Sequence, residues 1–417
     1  MKRKGKKLYC AFVDFEKAFD KVWRDGLWYK LLINNINGRM FQIIQNVYKN
    51  IKSNIVYNNE KSQFFPCDNG VRQGENMSPF LFALFLNDLE QFLEAQNSTG
   101  LNTLTDDINA AFDVYIKLFA LLYADDTVLM SEAPEDLQTQ LNIFHEYCTI
   151  WKLKVNVEKT KIVCFGSGRV PNNLNFIFDN KNIEIVKQFN YLGILLNRTG
   201  NFNLAIKAQA DKGTRAMYEI LKRGKYNNLS ISCQLDLFEK IVKPILLYGS
   251  EVWGFRNCCI LEKVHLKFCK LLLNIKTSTA NCLVYGELGR YPLIVDIKQR
   301  MISYWAKLIM GKQTKLCSIT YRFMYHLSCT QNVNFSWLTF AKDVFDVCGL
   351  SYIWNSQNFI NDKWLKEKIK QCLSDQFQQS WNNDLQTCPK AIYYRIFKDS
   401  FGFENYLNIL EEKIFLF

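Results

Sequence analysis

Three aspartates stand where carboxylates are hardest to explain. Asp14 closes the apolar run Leu8-Tyr-Cys-Ala-Phe-Val-Asp-Phe15, and Asp125 and Asp126 follow the apolar stretch at 114–123. A carboxylate flanked by Phe12, Val13 and Phe15 is costly to bury ionised unless a cation compensates it. Two adjacent carboxylates also repel, which raises one pKa. A divalent cation removes that penalty, and hard oxygen donors of this kind suit Mg2+ or Mn2+. Two such ions, roughly 3.5–4 Å apart, would activate an attacking hydroxyl and steady a leaving group in phosphoryl transfer. The plainer alternative is that Asp14 caps the next helix while Asp125 and Asp126 make a turn. For an isolated Asp-Asp that alternative is the commoner one, so the surrounding sequence has to decide.

The elements that would carry these residues read as α+β. Residues 8–15 form a buried strand, and a helical pattern runs over about 26–52. A hairpin at 53–66 has Asn58-Asn59 at its turn. A Gly-rich loop over 67–76 leads to Ser78-Pro79, which suits an N-cap followed by the first helical residue, and a buried helix continues to about Ala95. Residues 114–123 and 127–130 form strands on either side of a tight turn at Ala124-Asp125-Asp126, so both carboxylates project from a hairpin tip. An amphipathic helix over 134–153 places Leu137, Leu141, Phe144 and Cys148 at helical spacing. Short strands flank Asn156 and Lys159, and a hairpin-like segment at 189–196 contains Gly193. From Asn203 onward the pattern is almost wholly helical.

Composition narrows the classes. Lys plus Arg exceed Asp plus Glu by 52 to 40, a net charge of +12 that favours a polyanionic partner, nucleic acid before membrane surface. The 14 cysteines include no Cys-x-x-Cys pair, and only three histidines accompany them, so a zinc knuckle is excluded. The basic start Met1-Lys-Arg-Lys-Gly-Lys-Lys7 lacks the apolar core of a signal peptide. The longest apolar stretch is broken by Asp125 and Asp126, so no membrane helix is expected. The expected compartment is intracellular, nucleus or cytoplasm, with reduced thiols.

With the elements placed, a resemblance becomes specific. Phe12-Val-Asp-Phe-Glu-Lys-Ala-Phe-Asp20 resembles motif A of reverse transcriptases, most closely those of LINE-type (non-LTR) retrotransposons. Gly70-Val-Arg-Gln-Gly-Glu-Asn-Met-Ser-Pro79 resembles motif B, and Tyr123-Ala-Asp-Asp126 is similar to motif C. Trp151-Lys-Leu-Lys-Val-Asn156, with Lys159-Thr160 and Phe165, resembles motif D, and Phe189-Asn-Tyr-Leu-Gly193 resembles motif E, the primer grip. The motifs stand in the family's order.

The resemblance implies a right-hand polymerase. Residues 1–200 would be the palm, an antiparallel sheet with packed helices, together with a remnant of the fingers. Residues 201–309 would be an all-α thumb, and 310–417 a helical region of no assigned role. By the same resemblance, Asp14, Asp125 and Asp126 would be the metal ligands, and Lys159 would protonate the leaving pyrophosphate. The backbone N–H of Phe15 would meet the triphosphate, and Phe19 would exclude a 2′-hydroxyl. Gln73 and Gly74 would pack near the nascent base pair, with glycine allowing close backbone approach, and Arg72 would touch the template or simply be solvated. Tyr191, Leu192 and Gly193 would support the primer end. Thumb-region cations Lys207, Lys212, Arg215, Lys222, Arg223 and Lys225 would follow duplex phosphates.

The implied activity is RNA-directed DNA synthesis: deoxynucleoside triphosphates added to a DNA primer on an RNA template. Only 13 residues precede Asp14, so the reading expects an N-terminally truncated member without the fingers. Motif B has Glu75-Asn76-Met77 where the family more often has a small residue and Leu. A second reading, from another class, is a catalytically silent nucleic-acid-binding remnant of such an element. A third is a maturase-like RNA binder, which would want a basic extension that 310–417 does not display.

Overall fold

The computed structural model describes residues 7–98, 100–102, 117–118, 120–123, 126–166, 168–169, 174–312, 314–398 and 400–407. In chain order the first part holds β1 (Leu8–Val13), α1 (Arg24–Ile33), α2 (Gly38–Val47), α3 (Ser78–Phe85) and α4 (Leu89–Ala95). It continues with β2 (Ala120–Tyr123), β3 (Asp126–Ser131), α5 (Pro134–Ile150), β4 (Lys161–Phe165) and β5 (Glu184–Ile185). These strands make one sheet in the order β5-β4-β1-β3-β2, with β5 parallel to β4 and the other pairings antiparallel.

β1 sits at the centre because both of its faces are apolar. Tyr9, Ala11 and Val13 pack with Leu81, Phe82 and Phe85 of α3 and Leu137, Leu141 and Phe144 of α5. Cys10 and Phe12 face the other way, toward Val128, Met130 and Val163, with Phe189 and Tyr191 against them. This period of two is what a strand between two layers requires. Phe82, Phe85 and Phe144 have no exposed surface. Burying each such side chain stabilises the fold by roughly 1.5–3 kcal/mol.

Three local expectations need correction. The helical pattern over 26–52 is two helices, because Asn35 (φ +60°) and Gly38 (φ +56°) turn the chain between them. The helix from Ser78 also breaks, at 86–88: the Phe85 carbonyl accepts from Tyr147 Oη at 3.2 Å, and Asp88 is drawn into an ion pair with Lys30. Ser78 is not the N-cap. Met77 occupies that position, and the Ser78 hydroxyl donates to the Arg72 carbonyl at 2.5 Å. The Asn58-Asn59 turn is as expected: both residues have positive φ, between the pairs Val56–Lys61 and Tyr57–Glu60. Of the strand expected at 114–123, residues 117–118 and 120–123 are strand, and 114–116 and 119 lie outside the described residues.

Contacts divide the chain into two compact units. The first runs to Tyr191 and regains Leu196–Asn201; the second takes Leu192–Leu195 and everything from Phe202. The described part of the second unit beyond residue 202 is almost wholly helical. It includes α6 (Asn203–Tyr226), α7 (Cys259–Leu272), α8 (Asn281–Leu288), α9 (Leu293–Met310) and α10 (Asp362–Thr387). Phe238, Trp253, Phe268 and Met301 centre one core, and Trp305, Phe345 and Trp354 another, with α9 contributing to both.

Candidate active site

Register and pleat together place two of the three aspartates. Val13, the last residue of β1, pairs with Thr127 of β3, so Asp14 and Asp126 stand at neighbouring strand ends. Side chains alternate along a strand, and Phe12 and Val128 share the face that carries Phe189 and Tyr191. Asp14 and Asp126, two residues from Phe12 and Val128, therefore project from that same face. The Asp14 side chain is 43% exposed, and Lys159 Nζ lies 3.9 Å from its Oδ2. Burial, and then the charge of Asp126, hold the Tyr191 phenol above its ordinary pKa. Asp125 lies outside the described residues.

The backbone at Asp14 is fastened on both sides by the segment carrying Lys159. Asp14 N–H donates to Thr160 Oγ1 at 3.2 Å, and Asn156 N–H donates to the Asp14 carbonyl at 2.8 Å. Lys159 N–H in turn donates to Asn156 Oδ1 at 3.2 Å. Phe15 bridges to Val155, and the bridge uses the amides of Glu16 and Asn156, not that of Phe15. Glu16 lies 2.9 Å from Lys154 and 3.1 Å from Lys21, and these cations hold its pKa below the usual carboxylate range. Thr160 is buried at 1% exposure. Sequence reading placed it inside motif D but gave it no task; a small hydroxyl before an apolar strand was the available signal.

The Gly-rich loop is bonded to the segment after Asp14. Gly70 N–H donates to the Val22 carbonyl at 2.9 Å and Val71 N–H to the Phe19 carbonyl at 2.7 Å. Gly70 approaches the backbone closely, since an added Cβ would sit 2.4 Å from Asp20 O. Gly74 has φ +82° and open space around it, and glycine suits that backbone angle. Gln73 is exposed. Arg72 is exposed too, and its Nη2 donates to the Val47 carbonyl at 3.1 Å. Phe15 is buried between Phe82 and Phe144, at centroid distances of 5.9 and 6.0 Å. Phe19 is half-buried, 5.4 Å from the Phe82 ring.

The turn at Leu192-Gly193 belongs to the second unit. Both residues have positive φ, +47° and +80°. The Leu192 carbonyl accepts from Tyr248 Oη at 2.8 Å, and the Gly193 carbonyl from Gln209 Nε2 at 3.2 Å and Lys212 Nζ at 3.4 Å. A Cβ on Gly193 would lie 3.2 Å from the Tyr248 ring, so glycine answers both the backbone angle and the crowding.

Asp14 and Asp126 offer a hard, anionic, partly accessible oxygen set, the kind that fits Mg2+ or Mn2+. Among the described residues no group of three His, Cys, Asp or Glu side chains converges on one point.

Residues 1–196 match the family model described as reverse transcriptase (RNA-dependent DNA polymerase). They form a reverse transcriptase domain. The chain is similar to the RNA-directed DNA polymerase from mobile element jockey of Drosophila melanogaster. The two are 27% identical over 275 residues, which is 64% of this chain and 28% of that one. The Drosophila funebris jockey enzyme gives 27% over 280 residues, and a type-1 R2 element Pol polyprotein from Nasonia vitripennis gives 28% over 220. The chain thus spans under a third of the length of these relatives. A telomerase from Candida albicans solved with a telomeric RNA fragment matches at 13% identity and TM-score 0.32, covering 80% of this chain and 52% of that one. A likeness that low fixes no detail of the reverse transcriptase fold. Among the described residues no helix is long and apolar enough to cross a membrane.

Proposed function

We propose that the chain catalyses RNA-templated addition of deoxynucleotides to a primer 3′-hydroxyl. In this reading the first unit is a polymerase palm, and the helices from Phe202 begin a thumb. The observation that carries it is the placement of Asp14 and Asp126 on one sheet face at adjacent strand ends, within a domain of the reverse transcriptase family. Asp14, Asp126 and the adjacent Asp125 are the proposed ligands of Mg2+ or Mn2+. When bound, such ions lower the pKa of the attacking hydroxyl and stabilise charge on the leaving oxygen.

The chain's own residues would do the rest. The Phe15 amide, unused by the bridge to Val155, is the proposed donor to the triphosphate. Phe19, braced on Phe82, is the proposed block under the sugar, selecting deoxynucleotides. Lys159, close to Asp14 and 71% exposed, is the proposed proton donor to pyrophosphate. Gln73 and Gly74 on the exposed loop would face the nascent pair. Arg72, held at Val47, would orient this loop or touch the template backbone. Tyr191, Leu192 and Gly193 would cradle the primer end.

The test is primer extension by the purified chain on poly(rA)/oligo(dT) with dTTP and Mg2+, beside Asp14→Asn and Asp125→Ala. Extension by the wild type that both variants lose supports the reading. A folded wild-type chain that binds the duplex without extending it would sink the catalytic claim and leave a nucleic-acid-binding role.

A further inference from the structure

A second surface of the molecule, in the helical unit, has the chemistry of a polyanion site. It forms where residues 270–283 meet residues 386–398. These two segments hold Lys270, Lys276, Lys390, Arg395 and Lys398 and no acidic residue. Lys270 is only 9% exposed, yet among the described residues no carboxylate pairs with its ammonium: it donates to the Thr277 carbonyl at 2.8 Å and to Asn281 Oδ1 at 2.9 Å. Lys390 donates to the next carbonyl, that of Ser278, at 3.1 Å. Two ammonium groups therefore rest on consecutive carbonyls, an arrangement that repels itself until an anion joins it. Burial, and then the charge of Lys390, push the Lys270 pKa down, as such crowding requires. Asp384, just before the second segment, is near Cys282, and Asp399 follows Lys398 in the sequence. Two other acids are engaged. Glu404 pairs with Lys398, and Glu287 accepts from Tyr394 Oη at 2.8 Å.

That last bond also orients the segment. Tyr394 turns in toward α8, and its neighbours turn out: Tyr393 is 78% exposed and Phe397 83%. Exposed aromatic rings beside unpaired cations are the pattern that binds unpaired bases by stacking while the cations take phosphates. A duplex hides its base faces and leaves such rings unused.

We propose that this surface binds single-stranded nucleic acid, with phosphate at Lys270 and Lys390 and bases on Tyr393 and Phe397. It belongs to the second unit and stands whether or not the chain extends a primer.

The experiment uses the full chain. Fluorescein-labelled oligouridine and oligothymidine are titrated by anisotropy over a range of KCl concentrations, against a duplex of equal length. A 4-thiouridine oligomer is crosslinked in parallel and the modified peptides are mapped. Tyr393, Phe397 and Lys390 are exposed, so their variants should fold, which circular dichroism melting checks.

The proposal expects crosslinks on the peptide containing Tyr393 and Phe397. It expects Tyr393→Ser/Phe397→Ser to weaken single-strand binding about tenfold, the loss of roughly one stacked base. It expects Lys390→Ala to lower the salt slope by about one. Crosslinks confined to other peptides, with affinity and slope unchanged in the variants, overturn it. So does a double variant that turns a dimer into a monomer without moving the affinity for oligouridine, because the patch would then be a contact between copies of the chain.

Discussion

Asp14 owes its position to neighbours more than to its own carboxylate. Its amide is satisfied by one buried hydroxyl, Thr160 Oγ1, and its carbonyl by Asn156 N–H. Thr160→Val keeps the shape and removes the acceptor, leaving a part-buried N–H without a partner, a loss of roughly 1–3 kcal/mol. Thr160 touches neither substrate nor metal in this reading, so it is a positioning residue. If the chain extends primers, Thr160→Val should lower kcat about tenfold and raise the Mg2+ concentration for half-maximal rate, with Thr160→Ser recovering both. A variant that melts earlier but keeps the wild-type Mg2+ dependence per folded molecule would show the hydroxyl to be structural only. Gly70 makes a sharper steric prediction. With φ +84° and Asp20 O 2.4 Å from an added Cβ, Gly70→Ala should cost roughly 1–3 kcal/mol in urea unfolding. A neutral effect would mean the loop can move away from Asp20.

At the scale of elements, α1, the start of α4 and α5 are tied together by a buried ammonium. Lys30 has no exposed surface, pairs with Asp88, and holds its Nζ 3.6 Å from the Trp151 ring centroid; Tyr147 Oη donates to Asp88 Oδ1 at 2.6 Å. Burial outweighs the Asp88 carboxylate and keeps the Lys30 pKa below its ordinary value. Lys30→Ala strands Asp88 and Tyr147 and should lower stability by roughly 3–5 kcal/mol, with Lys30→Met losing less because it refills the space. Equal losses in the two variants would assign the cost to the charge alone. This cluster also shows where sequence reading stops. The strand β1, the helix α5 and the Asn58-Asn59 turn were legible because apolar period and turn chemistry are local. The break at 86–88 was not, because it depends on Tyr147, distant in sequence, drawing off the Phe85 carbonyl. The Thr160 clamp stayed hidden for the same reason, since nothing local marks a hydroxyl as the partner of a far backbone amide. The cation and aromatic surface also joins segments far apart in the chain. Asp14 and Asp126 were legible as carboxylates ending apolar runs, whereas their common face needed the register.

Across the whole molecule the charge is uneven. Lys207, Lys212, Arg215, Lys222, Arg223 and Lys225 are all exposed along α6, against only Asp211 and Glu219 on the same helix among its exposed acids. The helical unit also buries the ion pair of His265 and Glu262. His265 is fully buried, with Nδ1 2.8 Å from Glu262 Oε1 and its ring stacked on Phe238 at 5.3 Å. Glu262 also accepts from Tyr285 Oη and from the Leu293 amide, both at 2.6 Å. Burial alone would lower the imidazole pKa, but Cys269 and Glu262 beside it raise it from 6.5 to about 10. Burial likewise opposes the Glu262 charge, yet His265 and the other donors leave its pKa below the usual value. The sign follows from linkage. Below the unfolded value both states bind the proton, so the stabilisation is full there. It is lost as pH rises from 6.5 through about 10, because the unfolded histidine releases its proton first. In urea unfolding, the stability gap between the wild type and His265→Phe should therefore be widest near pH 6 and shrink steadily by about pH 10. A gap that stays constant over that range would mean His265 is neutral in the fold, held by packing on Phe238 and not by the charge of Glu262.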